Sequence, residues 1–538
     1  MAAGGVTPGI AAAGDPAPPG LLDAFWAYER ALMANDLDEL DRWFAPGETT
    51  VRGDAAGLLI GHEAISVFRR SRGGSPARTI AAVQVQVITQ DAALVIAVTA
   101  ITAGGRGQQT QLWRRLDGAW FITAAHVALP GPAIAGSIWR VAGTPLVGTT
   151  LAGGPRAAGA DERTLAGETV AVKDLFAVAG YAIGAGVPAF LEEAAVETSH
   201  ASAVAALLAA GATVTGIART DEFAYSIAGR NSHYGTPPNP AVVGAVPGGS
   251  SSGPAAAVSS GQASIGLGTD TGGSLRVPAS YTGLWGLRTT HGSVDAAGLL
   301  ALAPSFDTIG WLTRDAATLR RAAATSVTGQ RDLEPSFVAA PSFLVAPAFD
   351  AVLEPDVLAA FHAGLAATGI AHRAETIDLG DTNDLDELFE TFRTVQAAES
   401  WRIHGDWIEA HPGALGEDIA ARFAAASTIT ERAEAEARVA WAATRRRLDA
   451  LLGDRVLVLP SASSIAPTAT ADAATIERTR AGTMRLTCIA GLTGRPGLSA
   501  PLLSVPIAGQ ATPAPLGLGF VGPRGTDLAL IDIASGLA

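Results

Sequence analysis

The stretch VPGGSSSGPAAAVSSGQASIGLGTDTGGSLRVPASYTGLWGLRTTHG, residues 246–292, limits the fold more than any other part of the chain. It holds two Gly-Gly-Ser clusters, GGSSSG at 248–253 and TGGS at 271–274. Between them AAAVSSGQASIGLGTD reads as a helix followed by a strand. Residues this small let backbone lie against backbone, or against a ligand, where a Cβ would intrude. Several chemistries use such loops. A phosphate cradle wants Gly-Lys-Ser/Thr after its glycines, and this segment has no lysine. A dinucleotide fingerprint wants G-x-G-x-x-G at the opening of a helix, and GLGTDTGG has the glycines in the wrong frame. A nucleophile elbow wants G-x-S-x-G, which does not occur at the right place. The plainest reading is a pair of loops without chemistry, and two clusters around one helix and strand, followed by LRVPA, argue against it.

A second feature stands outside that segment. Lys173, in VAVKDLFAVAG, is the only lysine among 538 residues; arginine serves everywhere else. The Ala- and Gly-rich, Lys-poor composition fits a GC-rich coding background, against which this one position has held. A chance survivor or a partner for Asp174 are the plainer explanations. The formal charge of −14 and the lack of any basic run longer than Arg445–Arg447 speak against nucleic acid and anionic membranes as partners. No window is apolar and long enough to span a bilayer, and residues 1–20 read as a disordered tail, not a signal peptide. One cysteine, Cys488, excludes an internal disulfide and fits a reducing, cytoplasmic setting.

Length predicts more than one domain. Residues 21–128 read as one unit: helices in LLDAFWAYERALMAND, DLDELDRWF and GHEAISVFRRSR, then alternating strands in TIAAVQVQVITQ, AALVIAVTAITAGG and QQTQLWRRLDGAWFITAAHVAL with a turn at LDGAW. Helices followed by an antiparallel sheet give an α+β cone. Residues 129–150, rich in Pro and Gly, read as a linker. From 151 to 538 apolar strands (ETVAVKD, ATVTGIA, RVLVLP) alternate with helices such as ITERAEAEARVAWAATRRRLDALLG, which predicts a large α/β domain with a mostly internal sheet.

Both halves resemble known families. YERALMANDLDEL, TTVRGD and GHEAISVFRRSR resemble the NTF2-like (SnoaL-like) cone and, within it, the AtzH-like group. That resemblance implies a pocket near Tyr28, Arg52, Arg69, Arg72 and His126; a vestigial pocket with the sheet as a dimer face is the alternative. PGGSSSGPAAAV with GTDTGGSLRVPASYTGLWGLR resembles the amidase signature family, and VAVKDLFAVAG, LLAAGATVTGIARTDEFAYSIAGRNSHYGTPPNP and LTCIAGLTGRPGLSAP extend the match from about residue 135 to the end. The resemblance implies an α/β amidase-signature domain with a mixed central sheet covered by helices. It implies a catalytic set of Ser274 as nucleophile, Ser250 as bridging serine on a cis peptide, and Lys173 as base. The N–H groups of Thr271, Gly272, Gly273 and Ser274 would form the oxyanion hole. Asp270 and Arg276 would brace the turn, with Ser251 beside the relay.

Physical chemistry then explains the lone lysine. A serine hydroxyl needs a base within hydrogen-bond reach. Lysine is a base only when neutral, and burial lowers its pKa; arginine stays protonated and cannot take the role. The reaction expected is hydrolysis of a small amide, urea-like or carbamate substrate through a serine acyl-enzyme, with no metal or organic cofactor. Proteins of the AtzH-like group resemble partners of amidases acting on biuret- or allophanate-type carboxylated nitrogen compounds. The other readings are an aminoacyl-tRNA amidotransferase subunit, against which the acidic charge and fused cone speak, and a non-catalytic binding protein. A homodimer is compatible with either domain. Cys488 reads as a core residue, and Ser252, Pro254, His200 and Arg219 depart from the family pattern without touching the three catalytic residues.

Overall fold

The structure, a computed structural model, describes residues 13–54, 57–71, 78–101, 106–128, 135–148, 164–331, 335–508, 510 and 512–538. The chain divides into two compact units, Met1–Ile134 and Ala135–Ala538.

In the first unit three helices, α1 (Leu21–Ala34), α2 (Leu37–Arg42) and α3 (His62–Ser71), accompany a seven-stranded sheet. Asp36 caps α2 by accepting Glu39 N–H at 3.0 Å. The hairpin β1 (Val51–Asp54) and β2 (Gly57–Ile60) adds to the expected strands, which appear as β3 (Arg78–Thr89), β4 (Ala92–Ile101), β5 (Arg106–Leu116) and β6 (Ala119–Ala128). These four form an antiparallel meander, and β1 joins parallel to β6. Asp117 (φ 49°) and Gly118 (φ 85°) turn β5 into β6 with both central residues left-handed, as a type I′ hairpin demands. Phe25, Tyr28, Phe44, Trp113 and Ile122 fill the space between helices and sheet. Of the expected tail, Ala13 and Gly14 pair with Gln84 and Val85, and the rest up to residue 12 lies outside the described residues.

The second unit is built on one eleven-stranded mixed sheet. Its first strand corrects the reading of 129–150 as a linker: Trp139–Val147 is β7, an edge strand antiparallel to β9 (Thr213–Ala218). Pro and Gly do punctuate the segment, but Trp139 and Ile138 bury against small side chains and hold it on the sheet. Next come β8 (Thr169–Lys173), α4 (Ser202–Ala209), α5 (Ser252–Ser259), β10 (Ile265–Asp270), α6 (Arg276–Thr282), β11 (Trp285–Arg288) and β12 (Thr308–Thr313). The strands β8 and β10 run parallel, with Val172 opposite Leu267. Because α5 leads back antiparallel to β10, the GGSSSG loop at its start and the TGGS turn after β10 reach the same edge of the sheet. Ala255, Ala256 and Ala257 are fully buried, so α5 packs closely on the strands. The long helices α7 (Thr382–Ala410), α8 (Glu417–Ser427), α9 (Glu431–Leu452) and α10 (Ala473–Thr493) cover that edge and its flank. As its charge pattern predicts, α9 carries i,i+4 pairs, Arg432–Glu436 at 2.9 Å and Arg438–Glu434 at 2.8 Å. Among the described residues no helix is long and apolar enough to cross a membrane.

Candidate active site

Lys173 ends β8 and is fully buried. Its Nζ lies 2.8 Å from Ser250 Oγ and 2.8 Å from Thr269 Oγ1, and Asp174 pairs instead with Arg140 of β7 at 3.0 Å. Burial pulls the Lys173 ammonium from 10.5 down to about 7, against the opposing pull of Asp221, Asp307 and Asp270. One rung beyond the last paired residues, Gly268 stands beside this lysine; a Cβ there would meet Ser251 Oγ at 2.6 Å. The missing side chain is what lets the serine loop settle onto the strand ends.

That loop is held by its backbone. The Gly249–Ser250 peptide is cis, Ser250 carbonyl accepts Thr220 Oγ1–H at 2.9 Å, and Gly249 N–H donates to Ile227 carbonyl at 2.9 Å. Ser251 donates its hydroxyl to Thr269 carbonyl at 3.2 Å and its N–H to Ser274 carbonyl at 3.2 Å. This second bond ties the two Gly-Gly-Ser clusters together. Asp221, fully buried, accepts from Gly229 N–H at 2.9 Å and Ser252 Oγ–H at 3.0 Å. Burial pushes its carboxyl up to about 6.

Asp270 organises the turn that follows β10. Its carboxylate accepts from Gly273 N–H at 2.8 Å, Leu275 N–H at 3.1 Å, Arg276 Nη2 at 2.9 Å and Arg288 Nη1 at 3.1 Å. Burial opposes its charge, yet Arg276 and Arg288 hold the carboxyl well below the usual carboxylate range. Asp270 and Arg276 thus meet inside the turn they were expected to flank. The oxyanion expectation needs one correction. Gly273 N–H is committed to Asp270, whereas the N–H groups of Thr271, Gly272 and Ser274 have no acceptor among the described residues. A carboxylate three residues earlier captures the Gly273 amide within this tight turn, where Gly273 itself takes a positive φ of 125°. Ser274 is buried at 3% exposure, and its hydroxyl has no hydrogen-bond partner among the described residues. Catalytic hydrogen bonds in empty sites commonly close only when substrate arrives.

Several neighbours are not legible in the sequence. Thr269 is the second contact of Lys173, Arg288 completes the Asp270 cage, and Thr487 of α10 donates to Gly272 carbonyl at 2.6 Å. Asp307 accepts Thr271 Oγ1–H at 2.6 Å. Cys488 is buried, and burial pushes its thiol up to about 12, which suits a core residue.

Of the residues expected near a pocket in the first unit, Tyr28, Arg52 and Arg69 lie buried and close together. Arg69 donates to Leu40 carbonyl at 2.7 Å and stacks over Phe44 at 4.3 Å, with Tyr28 buried beside it. Arg52 lies over Phe68, His126 is exposed, and Arg72 lies outside the described residues. The helix–sheet gap also holds aromatic side chains and Glu29 with Arg78 and Gln109. A separate cavity of about 880 Å³ is lined by Trp43, Phe44, His62 and Trp120.

Residues 152–531 match the family model described as Amidase, and residues 20–132 match the model described as AtzH-like. Amidase 1 of Arabidopsis thaliana is 34% identical over 411 residues, covering 71% of this chain and 95% of that protein. A solved structure of a vestigial protein complex, reported to reveal the origins of an s-triazine catabolic enzyme, superposes with a TM-score of 0.62 at 26% identity. It covers 69% of this chain and 83% of its own. The S177A allophanate hydrolase of Kluyveromyces lactis shares the fold, with a TM-score of 0.58 at 23% identity over 69% of this chain and 61% of its own.

Proposed function

The chain belongs to the amidase family and is an amide-bond hydrolase, and on that premise we propose that it cleaves a small amide, urea-like or carbamate substrate through an acyl-enzyme on Ser274. The observation that carries the reading is Lys173 Nζ at 2.8 Å from Ser250 Oγ, in a site where burial brings the amine down to about 7, so that a substantial fraction of it is neutral near neutral pH. Ser274 Oγ attacks the carbonyl carbon as its proton passes to Ser250 Oγ, whose own proton moves to Lys173 Nζ. The carbonyl oxygen, now negative, rests on the open N–H groups at Thr271, Gly272 and Ser274. Each such donor is worth about 100- to 1000-fold in turnover. Lys173 returns the proton through Ser250 to the departing nitrogen, and the C–N bond breaks. Water then attacks the acyl carbon, loses its proton along the same route, and releases Ser274 with a carboxylic or carbamic acid.

The fused AtzH-like unit and the kinship with an s-triazine-related complex favour nitrogen-rich substrates of the biuret or allophanate type. The test is labelling by an alkyl fluorophosphonate together with a hydrolysis screen of amides, ureas and carbamates. Labelling at Ser274 with release of ammonia or amine is expected. Absence of labelling at every pH would make the chain a binding protein, and ammonia transfer that requires partner subunits would make it an amidotransferase.

A further inference from the structure

Asp221 is a fully buried carboxylate with no cation paired to it. Gly229 N–H and Ser252 Oγ–H donate to it at 2.9 and 3.0 Å, and among the described residues it makes no ion pair. It lies directly against the serine loop. A Cβ on Gly249 would strike its Oδ2, and its own N–H donates to Ser250 carbonyl at 3.3 Å. The hydroxyl of its neighbour Thr220 donates to the same carbonyl at 2.9 Å. Ser250 Oγ in turn is 2.8 Å from Lys173 Nζ. The other acids around the lysine are already answered. Asp270 faces Arg276 and Arg288, and Asp174 faces Arg140. Asp307 is only partly buried and accepts from Thr271 Oγ1–H, Leu302 N–H and Ala303 N–H. A buried carboxylate without a cation is costly, and burial accordingly pushes Asp221 up to about 6. Lys173 is the neighbour that gains a positive charge during the proposed reaction.

We propose that Asp221 is a positioning residue for the base: a fixed negative charge, held against the Ser250 loop, that keeps Lys173 basic enough to take the serine proton and balances the ammonium it then becomes. The proton stops at Nζ, and Asp221 stays ionised throughout. Burial alone would leave a lysine neutral but a feeble base, and a general base works best when its pKa lies near the ambient pH. Burial pulls the Lys173 amine down, and Asp221 leads the carboxylates that pull it back up, ahead of Asp307 and Asp270. That order follows from the contacts. Asp270 shares its charge with two guanidiniums, and Asp307 is partly open to solvent, whereas Asp221 is sealed in and bonded to a glycine N–H and a serine hydroxyl. This inference rests on Lys173 as the base of the proposed reaction and adds what sets its strength.

The test follows the pH dependence of fluorophosphonate labelling at Ser274 in the full chain and in Asp221→Asn, which removes the charge and keeps the shape. The acid limb of the profile moves toward acid by about one unit, and the plateau rate falls about threefold or more because the amine is a weaker base. A merely structural role lowers the rate and leaves the limb in place. Ser252→Ala covers the case in which Asp221→Asn does not fold: it removes no charge, weakens the bonding that keeps Asp221 ionised, and moves the limb the same way by less. A limb that stays in place in the folded variants, or moves toward alkali, overturns the inference and leaves the nucleophile standing. A larger shift in Asp307→Asn than in Asp221→Asn gives the role to Asp307 and likewise overturns it. If the native chain does not label, the nucleophile reading falls, and urea unfolding decides. The rise in stability that Lys173 contributes above about 7 begins at lower pH in the variants if Asp221 supports the amine, and at the same pH if it does not.

Discussion

Lys173 is the residue on which pH must act. Its folded-state value of about 7 makes the amine a proton acceptor only above that pH. The expected profile of kcat/KM rises about tenfold per pH unit below the transition and flattens above it. Thr269 refines this expectation. Its hydroxyl accepts from Nζ at 2.8 Å and so favours the charged lysine. In Thr269→Val the limb of the profile therefore moves toward acid while kcat falls, and a shift toward alkali would contradict the assignment. The lysine is legible in the amino-acid sequence because its chemistry excludes the substitute used everywhere else in the chain. Thr269 and Asp221 are not. Nothing in their spacing marks them, and only the parallel register of β8 and β10 and the fold-back of the 221–231 loop bring them to the amine.

At the scale of elements, the turn between β10 and α6 is a cage built around one carboxylate. Asp270 is fully buried and faces Arg276 and Arg288, so Asp270→Asn leaves two buried cations short of a counter-charge. A loss of about 3–5 kcal/mol is expected, measured by urea unfolding, together with loss of labelling at Ser274. Gly272→Ala should lower turnover for a different reason, since its Cβ would come within 2.7 Å of Met484 Cε and 3.2 Å of Phe392, and both side chains must shift to admit it. Normal activity in that variant would mean the turn is looser than described. The glycines of both clusters are legible as points of close approach, but not which atoms approach. The committed amide of Gly273 shows the limit: a motif names the donors of a site, and the carboxylate that withdraws one of them appears only once the turn is folded.

For the whole molecule, the position of β7 decides where the second unit begins. A chain starting at 151 loses that edge strand and Arg140, and strands Asp174, whose carboxyl burial already pushes up to about 6 despite that partner. It should be markedly less stable than a chain starting at 135, which thermal unfolding of the two will show. Folding also feels Lys173. Between about 7 and 10.5 the unfolded chain holds a proton that the folded chain has shed, so stability rises with pH across that window. Lys173→Met removes this slope, and denaturant unfolding of both proteins across the window measures it. The same substitution carries the sharpest test of the account. Under single-turnover conditions, the rate of acyl-enzyme formation in folded Lys173→Met and Lys173→Arg should drop by about 1000-fold or more, arginine failing as completely as methionine. Acylation at the native rate in either variant would show that the proton of Ser274 leaves by another path.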